Sequence, residues 1–262
     1  MDFTRKARFV AGGHLTGPPE SITYSSVVSR DTVRVAFLIA ALNDLDICAA
    51  NIGNAYLNAE CKKRIWVKAG KEFGENKGKP MIIVKSLYGL KLSGAAWRNL
   101  LSSSIKDLGF ASSKADPDLY YRAHVKKNGE KYYEYLLVYV DDILCISENT
   151  KPIVDEIRAL YRLKENSVIP PKRYLGADTK ILQMKSGIQC WTMSPDSYVR
   201  EAIVNIEILI EQDGKRMRKS SSPFPNTNYK PELDTSPVLD APMMSRYQQL
   251  IGILRWSCEL TD

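Results

Sequence analysis

Two adjacent carboxylates, Asp141 and Asp142, lie inside an otherwise apolar run between residues 134 and 147. The flanks of this run, Leu136 to Val140 and Ile143 to Ile146, are rich in residues that favour strands, which predicts a hairpin with the aspartates at its tip. Burial of an unpaired carboxylate is costly, so the doublet indicates that a cation neutralises it, above all a divalent metal. The alternative is an exposed two-residue turn that happens to be Asp-Asp, because aspartate is common in turns.

The composition is that of a globular protein with a polyanionic partner. The 262 residues are 44% hydrophobic, enough for one large domain or two to three closely packed subdomains. A net charge of +7 favours a polyanion without distinguishing nucleic acid from an acidic protein or a membrane surface. The five scattered cysteines show no paired ligand spacing, which argues against a zinc site or a disulfide framework and predicts reduced thiols.

The location predicted from the sequence is intracellular, in the cytoplasm or the nucleus. No apolar run is long enough to span a bilayer, and the first six residues lack the apolar stretch of a signal peptide. We therefore expect a soluble chain that has no membrane partner. The sequence makes no prediction of its oligomeric state.

The elements that must position the aspartates form an α+β pattern. The sequence predicts a strand over residues 6–11, a helix from Ser29 or Asp31 to Leu42, a strand over 45–52, helices that begin with caps at Ser93 and Thr150, a hairpin of 118–125 and 131–140, a strand over 173–184, a strand over 188–193, a helix from Ser194-Pro195 to Gln212, a loop over 220–242, and a final helix. From Leu45 the order of strand, helix, strand, strand, helix and strand predicts a split βαβ sheet with two helices on one face. This fold hosts many functions and decides none of them.

The region between residues 62 and 79 is distinctly basic and contains Trp66 and Phe73. Such a pattern is typical of a track for a phosphate backbone with aromatic stacking points. A solvated charged loop is the more frequent explanation, and at this stage we favour it.

An ordered series of motifs resembles the reverse transcriptase of copia-type retrotransposons over nearly the whole chain. The tetrapeptide Tyr-Val-Asp-Asp at residues 139–142 resembles the catalytic hairpin of that family. Residues 86–91, Ser-Leu-Tyr-Gly-Leu-Lys, resemble its signature for contacts with template and incoming nucleotide, which implies that Gly89 and Lys91 bind nucleotide. The tetrapeptide alone is a weak match, but the series occurs in order and at suitable spacings.

Four further segments resemble parts of the same family. They are Lys6 and Arg8 in the strand that meets the triphosphate, Lys164 as the basic residue after the second palm helix, Tyr174, Leu175 and Gly176 in the turn that grips the primer end, and residues 243–258 in the thumb. The resemblance implies a right-hand polymerase fold with a ferredoxin-like split βαβ palm, N-terminal fingers and a partial thumb. The implied boundaries are 1–45 and 52–92 for the fingers, 46–51 and 93–193 for the palm, and 194–262 for the thumb.

The resemblance also implies a function, a cofactor and partners. The function is RNA-directed DNA synthesis by part of a retrotransposon polyprotein, with a primed RNA or DNA template and deoxynucleoside triphosphates as partners. Two Mg²⁺ ions, or Mn²⁺ as an alternative, would assist nucleotidyl transfer. Nothing in the chain resembles the protease, integrase or ribonuclease H of such elements, so we expect it to be a fragment that runs from the fingers to the thumb.

One residue departs from the family pattern. The family has an aspartate just before a Gly-Asn-Ala-Tyr-Leu-like stretch, and Asn51 stands at that position here. Tyr56, five residues on, fits the aromatic that screens out a ribose 2′-hydroxyl, which supports this alignment. Asp46 is a rival for the same role, although it lies about 17 Å upstream along an extended strand. The implied metal ligands are therefore Asp141, Asp142 and the degenerate Asn51.

The substitution at Asn51 predicts severely reduced polymerase activity. An asparagine carbonyl can ligate Mg²⁺, but it removes one negative charge from a site that must hold two dications. The first alternative is a non-catalytic remnant that binds nucleic acid and makes no product. The second is an unrelated split-βαβ RNA-binding module, which would place exposed aromatic side chains on its central strands.

Overall fold

Strands and helices are interspersed along the chain, and the fold is a mixed one. The computed structural model describes residues 9–19, 21–212, 214, 216, 219 and 235–261. The helices are α1 (Arg30–Leu42), α2 (Ala55–Asn58), α3 (Ser93–Asp107), α4 (Lys151–Leu160), α5 (Asp196–Gln212) and α6 (Ala241–Thr261). The strands are β1 (Asp46–Asn51), β2 (Trp66–Lys68), β3 (Pro80–Ile82), β4 (Ala111–Ser112), β5 (Leu119–Val125), β6 (Lys131–Tyr139), β7 (Asp142–Ser147), β8 (Arg173–Tyr174), β9 (Ala177–Gln183) and β10 (Gln189–Ser194). The chain divides into two units, Met1–Pro171 and Lys172–Asp262.

The first unit is built on an antiparallel sheet with the strand order β1-β7-β6-β5-β4. Alternate residues of β7 point to opposite faces, so Ile143 and Cys145 share one core with the buried residues of α3 and α4. Leu144 and Ile146 point the other way and are fully buried, and α1 contacts β7. The predicted sheet with two helices on one face is confirmed.

The prediction that residues 173–184 form the last strand of this sheet is wrong. The outer edge of β1 is paired instead by the segment after α4, through antiparallel bridges of Ala49 with Ile169 and of Ile52 with Leu163. Residues 173–183 lie in the second unit, in a separate sheet with the order β10-β9-β8. Leu175 and Gly176 both have positive φ, 48° and 88°, as a tight turn between β8 and β9 requires, so the predicted strand is interrupted there.

The predicted helix caps differ in outcome. Ser29 caps α1, since its hydroxyl accepts a hydrogen bond from Thr32 N at 3.1 Å. Ser93 is already helical, and its hydroxyl donates to Leu87 O at 2.7 Å instead of capping α3. Thr150 stands at the cap position of α4 but has helical dihedrals and makes no capping bond with its side chain. Serine and threonine side chains have several backbone partners within reach, which the sequence does not rank.

Two predicted segments are described only in part. Of the predicted strand at residues 6–11, the structure describes Phe9 onward, where Val10 forms a parallel bridge with Tyr88. Of the predicted loop at 220–242, residues 220–234 lie outside the described part, and α6 already begins at Ala241. In the part of the chain that the structure describes, no helix is long and apolar enough to span a membrane.

Candidate active site

The aspartate doublet lies at the turn between β6 and β7. Val140 and Asp141 are the two turn residues, while Asp142 is the first residue of β7, so the alternative of an exposed two-residue Asp-Asp turn is wrong. Val140 has a left-handed φ of 58°, an uncommon conformation for a β-branched residue. Trp97 of α3 holds it there, because its indole N–H donates to Val140 O at 2.8 Å. The turn is therefore a strained feature that a buried tryptophan fixes in place.

The register of β1 and β7 brings Asn51 beside the doublet. Asn51 is paired with Asp142, whereas Asp46 is paired with Ser147 at the other end of β1. The backbone N and O of Asn51 bond to residues 164–167 and not to β7. Such a pair of opposite residues, without mutual backbone bonds, has the closer Cα spacing and lets its side chains meet. The structure thus places Asn51, and not the rival Asp46, at the doublet.

The side chains of Asn51 and Asp142 are in direct contact. Asn51 Nδ2 donates a short hydrogen bond to Asp142 Oδ1. Asn51 Oδ1 is buried and has no hydrogen-bond partner among the described residues. Burial raises the pKa of the Asp142 carboxyl, as does the charge of Asp141, while the bond from Asn51 and the charge of Lys164 oppose the rise. The site therefore has an unused oxygen beside a partly desolvated carboxylate.

Lys164 neutralises the other aspartate. Its Nζ lies 3.0 Å from Asp141 Oδ2, and its backbone N donates to Asn51 O at 2.8 Å. Ser167 fixes the same segment, since its hydroxyl accepts from Asn51 N at 3.1 Å and donates to Lys164 O at 2.8 Å. Sequence reasoning found Lys164 but missed Ser167, because a single serine in a loop carries no signal of such a role.

Tyr56 lies in α2, the short helix that follows Asn51 and the end of β1. Its ring centroid is 4.7 Å from that of Tyr88, and the two rings are tilted by 57°. Burial is the main cause that raises the pKa of the Tyr56 hydroxyl. Tyr88 and the charge of Asp141 raise this pKa further. The role of Tyr56 in screening out a ribose 2′-hydroxyl stays a prediction.

Gly89 and Lys91 of the 86–91 signature make contacts within the chain, and their role in nucleotide binding stays a prediction. Gly89 has a φ of 88°, and a Cβ at this position would lie 2.2 Å from Ala11 O, so only glycine fits. Lys91 Nζ donates to Thr16 O at 2.8 Å. Lys6 and Arg8, the other predicted nucleotide-binding residues, lie outside the described residues.

The predicted primer grip belongs to the second unit. Tyr174 is the last residue of β8 and is buried, and Leu175 and Gly176 form the turn into β9. The left-handed φ of Leu175, 48°, is costly for a residue with a side chain. The role of these three residues stays a prediction.

The donor set suits one hard dication better than two. It consists of the carboxylates of Asp141 and Asp142 and the orphaned carbonyl oxygen of Asn51, all of them oxygen ligands of the kind that Mg²⁺ takes. No cluster of three or more His, Cys, Asp or Glu that could hold a metal occurs within residues 9–19, 21–212, 214, 216, 219 and 235–261. Two negative charges fit a single divalent ion and leave a second one without a carboxylate of its own.

Comparison with known proteins gives consistent matches. Residues 1–213 match the family described as "Reverse transcriptase (RNA-dependent DNA polymerase)". Over 172 residues, 62% of the chain, it is 31% identical to the Transposon Ty1-BL Gag-Pol polyprotein of Saccharomyces cerevisiae. Over 232 residues, 85% of the chain, it is 26% identical to the Transposon Ty1-DR1 Gag-Pol polyprotein of the same yeast. The chain spans only 9% and 12% of the length of these relatives.

Proposed function

The chain belongs to the reverse transcriptase family, as a member of the copia-type retrotransposon group, and from this premise we propose that it is a template-directed DNA polymerase domain whose catalysis Asn51 severely reduces. The observation that carries the proposal is the contact of Asn51 with Asp142 beside the ion pair of Asp141 and Lys164. These residues meet at the end of the antiparallel pair of β1 and β7, although positions 51 and 164 are far apart in the sequence. The substrates proposed are deoxynucleoside triphosphates on a primed RNA or DNA template.

The roles of the residues follow from their positions. Asp141, Asp142 and the free oxygen of Asn51 would hold a divalent ion, Mg²⁺ or Mn²⁺. When bound there, a divalent ion would supply activation of the attacking primer hydroxyl and stabilisation of the charge on the leaving pyrophosphate. Lys164 holds Asp141 in place through its ion pair, and Tyr56, whose ring lies against that of Tyr88, would screen out a ribose 2′-hydroxyl.

The right-hand architecture remains part of this proposal. The first unit supplies a sheet with two helices on one face, which supports a palm formed by 46–51 and part of 93–193. The fingers at 1–45 and 52–92 and the thumb at 194–262 stay predictions, as do the primer grip and the intracellular location. Membership of a polyprotein is likewise proposed, from the Gag-Pol relatives.

The loss of one carboxylate explains the expected impairment. A two-ion mechanism places four positive charges in the site, against two negative charges from Asp141 and Asp142. Asn51 adds no charge, and its amide N–H occupies an oxygen of Asp142 that an ion would otherwise use. A second ion would therefore bind weakly, and nucleotidyl transfer would be slow.

A non-catalytic nucleic-acid-binding remnant is the second candidate function. It is favoured by the pairing of both carboxylates within the chain, Asp142 by Asn51 and Asp141 by Lys164, so that the site needs no metal to satisfy them. Tyr121 and Tyr133 are exposed on β5 and β6, which is the feature expected of the other alternative, an unrelated RNA-binding module. Membership of the reverse transcriptase family excludes the hypothesis of an unrelated module.

The two candidates separate in a primer-extension assay on a primed RNA template, with Mg²⁺ and with Mn²⁺. We expect slow extension by the unsubstituted chain and none by a variant with both Asp141→Asn and Asp142→Asn. A salt titration of template binding serves as the control for folding, since both proteins should bind with the same salt dependence. Equal extension by the two proteins, at equal binding, would support the remnant.

A further inference from the structure

A two-stranded ribbon extends from the segment that follows Tyr56. Three backbone hydrogen bonds of 2.9 to 3.0 Å join residues 59–65 to residues 83–86. β2 and β3 continue this ladder, with Trp66 opposite Ile82. The ribbon is thus attached to the candidate active site at one end, and it reaches roughly 20 Å outward, at about 3.3 Å for each residue.

The two faces of the ribbon have different surroundings. Inward-pointing residues, Ile65, Val67 and Ile83, pack in a small core with Leu90 and Ala11. The residues between them point outward, as the alternation of a strand requires. An outward face of an antiparallel ribbon is ordinarily polar, because water covers it.

The outward face of this ribbon is apolar instead. Trp66 is 63% exposed, Val84 67% and Ile82 40%. Trp66 and Ile82 are cross-strand partners, and Val84 follows Ile82 on the same face, so the three form one patch. Contiguous exposed apolar side chains of this kind mark an interaction surface.

The segment that carries the patch is rich in positive charge. Residues 60–85 contain eight lysines and arginines against three glutamates, which is a net charge of +5 out of the +7 of the chain. Among the described residues, none of these eight cations forms an ion pair with a carboxylate. Lys79 and Lys85 donate only to uncharged oxygens, of Asn76 and Asn58. The charge is therefore available to a polyanion.

We propose that this outer face binds single-stranded nucleic acid, with a base stacked on Trp66 and the phosphates held by the surrounding lysines. An exposed indole ring beside unpaired cations is the combination used by proteins that bind single strands without sequence preference. A duplex hides the faces of its bases, and two copies of the chain would repel each other through these cations. The inference rests on the proposed function in one respect, because that function identifies the bound single strand as the template or the primer.

The first test measures binding of a short fluorescein-labelled oligouridylate to the full chain by fluorescence anisotropy. Trp66→Ala should weaken binding about tenfold, the typical effect of losing one stacking platform, while Trp66→Phe keeps a ring and should stay within about threefold. Tyr133→Ala is the matched control, because Tyr133 is also exposed, at 50%, and lies on β6 away from the ribbon. It should bind as the unsubstituted chain does.

The second test measures the salt dependence of the same binding. Arg64→Gln and Lys68→Gln, changes two residues before and after Trp66 on the outward face, should each lower the slope of log K against log salt by about 0.7, the value for one phosphate contact with a single strand. Lys127→Gln, a change of an exposed lysine at the β5–β6 turn, should leave the slope unchanged. Trp66→Ala should also leave it unchanged, because stacking releases no counterions.

Full affinity of Trp66→Ala, or equal losses in Trp66→Ala and Tyr133→Ala, would overturn the inference. So would a dimer in sedimentation that Trp66→Ala dissociates, because the patch would then join two copies. The outcome is separable from the fate of the proposed function. If binding depends on Trp66 but no variant extends a primer, the proposed polymerase function is wrong and the proposed binding surface stands. If the chain extends a primer but Trp66→Ala has no effect on binding, the binding surface is wrong and the polymerase function stands.

Discussion

At the scale of single residues, each aspartate of the doublet has a partner within the chain. Asn51 donates to Asp142, and Lys164 lies 3.0 Å from Asp141. An asparagine keeps the shape of an aspartate but turns one oxygen into a donor, which converts repulsion between neighbouring carboxylates into a hydrogen bond. The same substitution that weakens metal binding is therefore expected to favour folding without metal.

The ion pair of Lys164 should contribute little to stability. The Lys164 side chain is 45% exposed and the Asp141 side chain 28% exposed, so solvent screens their attraction. We expect Lys164→Ala to lower the free energy of unfolding by less than about 1 kcal/mol in a urea titration. Arg158→Ala, which removes the exposed pair with Asp155, should have an effect of the same size. A loss of several kcal/mol specific to Lys164 would contradict this account of the pair.

The sequence predicted the residues of the site better than it predicted their contacts. The doublet stood out as two charges in an apolar run, and Asn51 stood out against the family pattern. The contact between Asn51 and Asp142 depends on the register of strands some ninety residues apart, which local periodicity does not specify. The sequence did not indicate Ser167 for a related reason, because its hydroxyl contacts the site only where its loop meets β1.

At the scale of elements, the β6–β7 turn depends on α3. Val140 is held at a φ of 58° by the hydrogen bond from Trp97, which is 1% exposed. The sequence predicted the helix that follows Ser93 but carried no sign that the Trp97 N–H supports the turn. A helix in the core thus helps to position the aspartates.

Trp97→Phe should destabilise the chain because it removes the N–H that satisfies Val140 O and leaves a gap in the core. We expect a loss of about 2 to 4 kcal/mol in the free energy of unfolding. Trp66→Phe is the matched control, and at an exposed site it should change stability by less than about 0.5 kcal/mol. Equal effects of the two substitutions would refute the structural role of the indole.

Elements with strong periodicity were predicted correctly, and those defined by long-range pairing were not. The helices predicted after Ser93 and Thr150 correspond to α3 and α4, and the hairpin predicted at residues 118–125 and 131–140 corresponds to β5 and β6. Residues 173–184 looked like the missing edge strand, yet the segment of Leu163 and Ile169 pairs with β1 instead. That segment is short and irregular, so no pattern marks it as a strand.

Gly89→Ala should be costly because the backbone of Ala11 blocks the new methyl group. A Cβ at Gly89 would lie 2.2 Å from Ala11 O, whereas at Gly129, with nearly the same φ of 89°, nothing lies within 4 Å. We expect Gly129→Ala to cost about 1 kcal/mol from the backbone alone, and Gly89→Ala roughly 2 kcal/mol more from the clash. Chemical denaturation of the two variants measures the difference, and similar values would rule out a steric role for Gly89.

At the scale of the whole molecule, the first unit contains the doublet, Asn51, Lys164 and a core of its own. All buried members of that core lie between Cys48 and Tyr161. The second unit contains the predicted primer grip and the three-stranded sheet. Composition alone allowed one domain or several, and only the contacts show that the division falls at Pro171.

Residues 1–171 should fold without the second unit. We expect this fragment to unfold in urea in a single cooperative transition, as small domains do. A fragment of residues 1–149 is the control, because it lacks α4 and with it the buried side chains of Ile153, Val154 and Ile157. It should show no cooperative transition. A gradual transition for residues 1–171 would mean that the first unit depends on the second.

The central claim is that one missing carboxylate at Asn51 limits an otherwise complete polymerase site. The direct measurement is the rate of primer extension by Asn51→Asp relative to the unsubstituted chain, at saturating Mg²⁺ on one primed RNA template. We predict an increase on the order of 100-fold, the usual effect of one charge-stabilising group. The double variant Asn51→Asp with Asp142→Asn, which has the same number of carboxylates as the unsubstituted chain, should stay slow. An unchanged rate in Asn51→Asp would contradict the account.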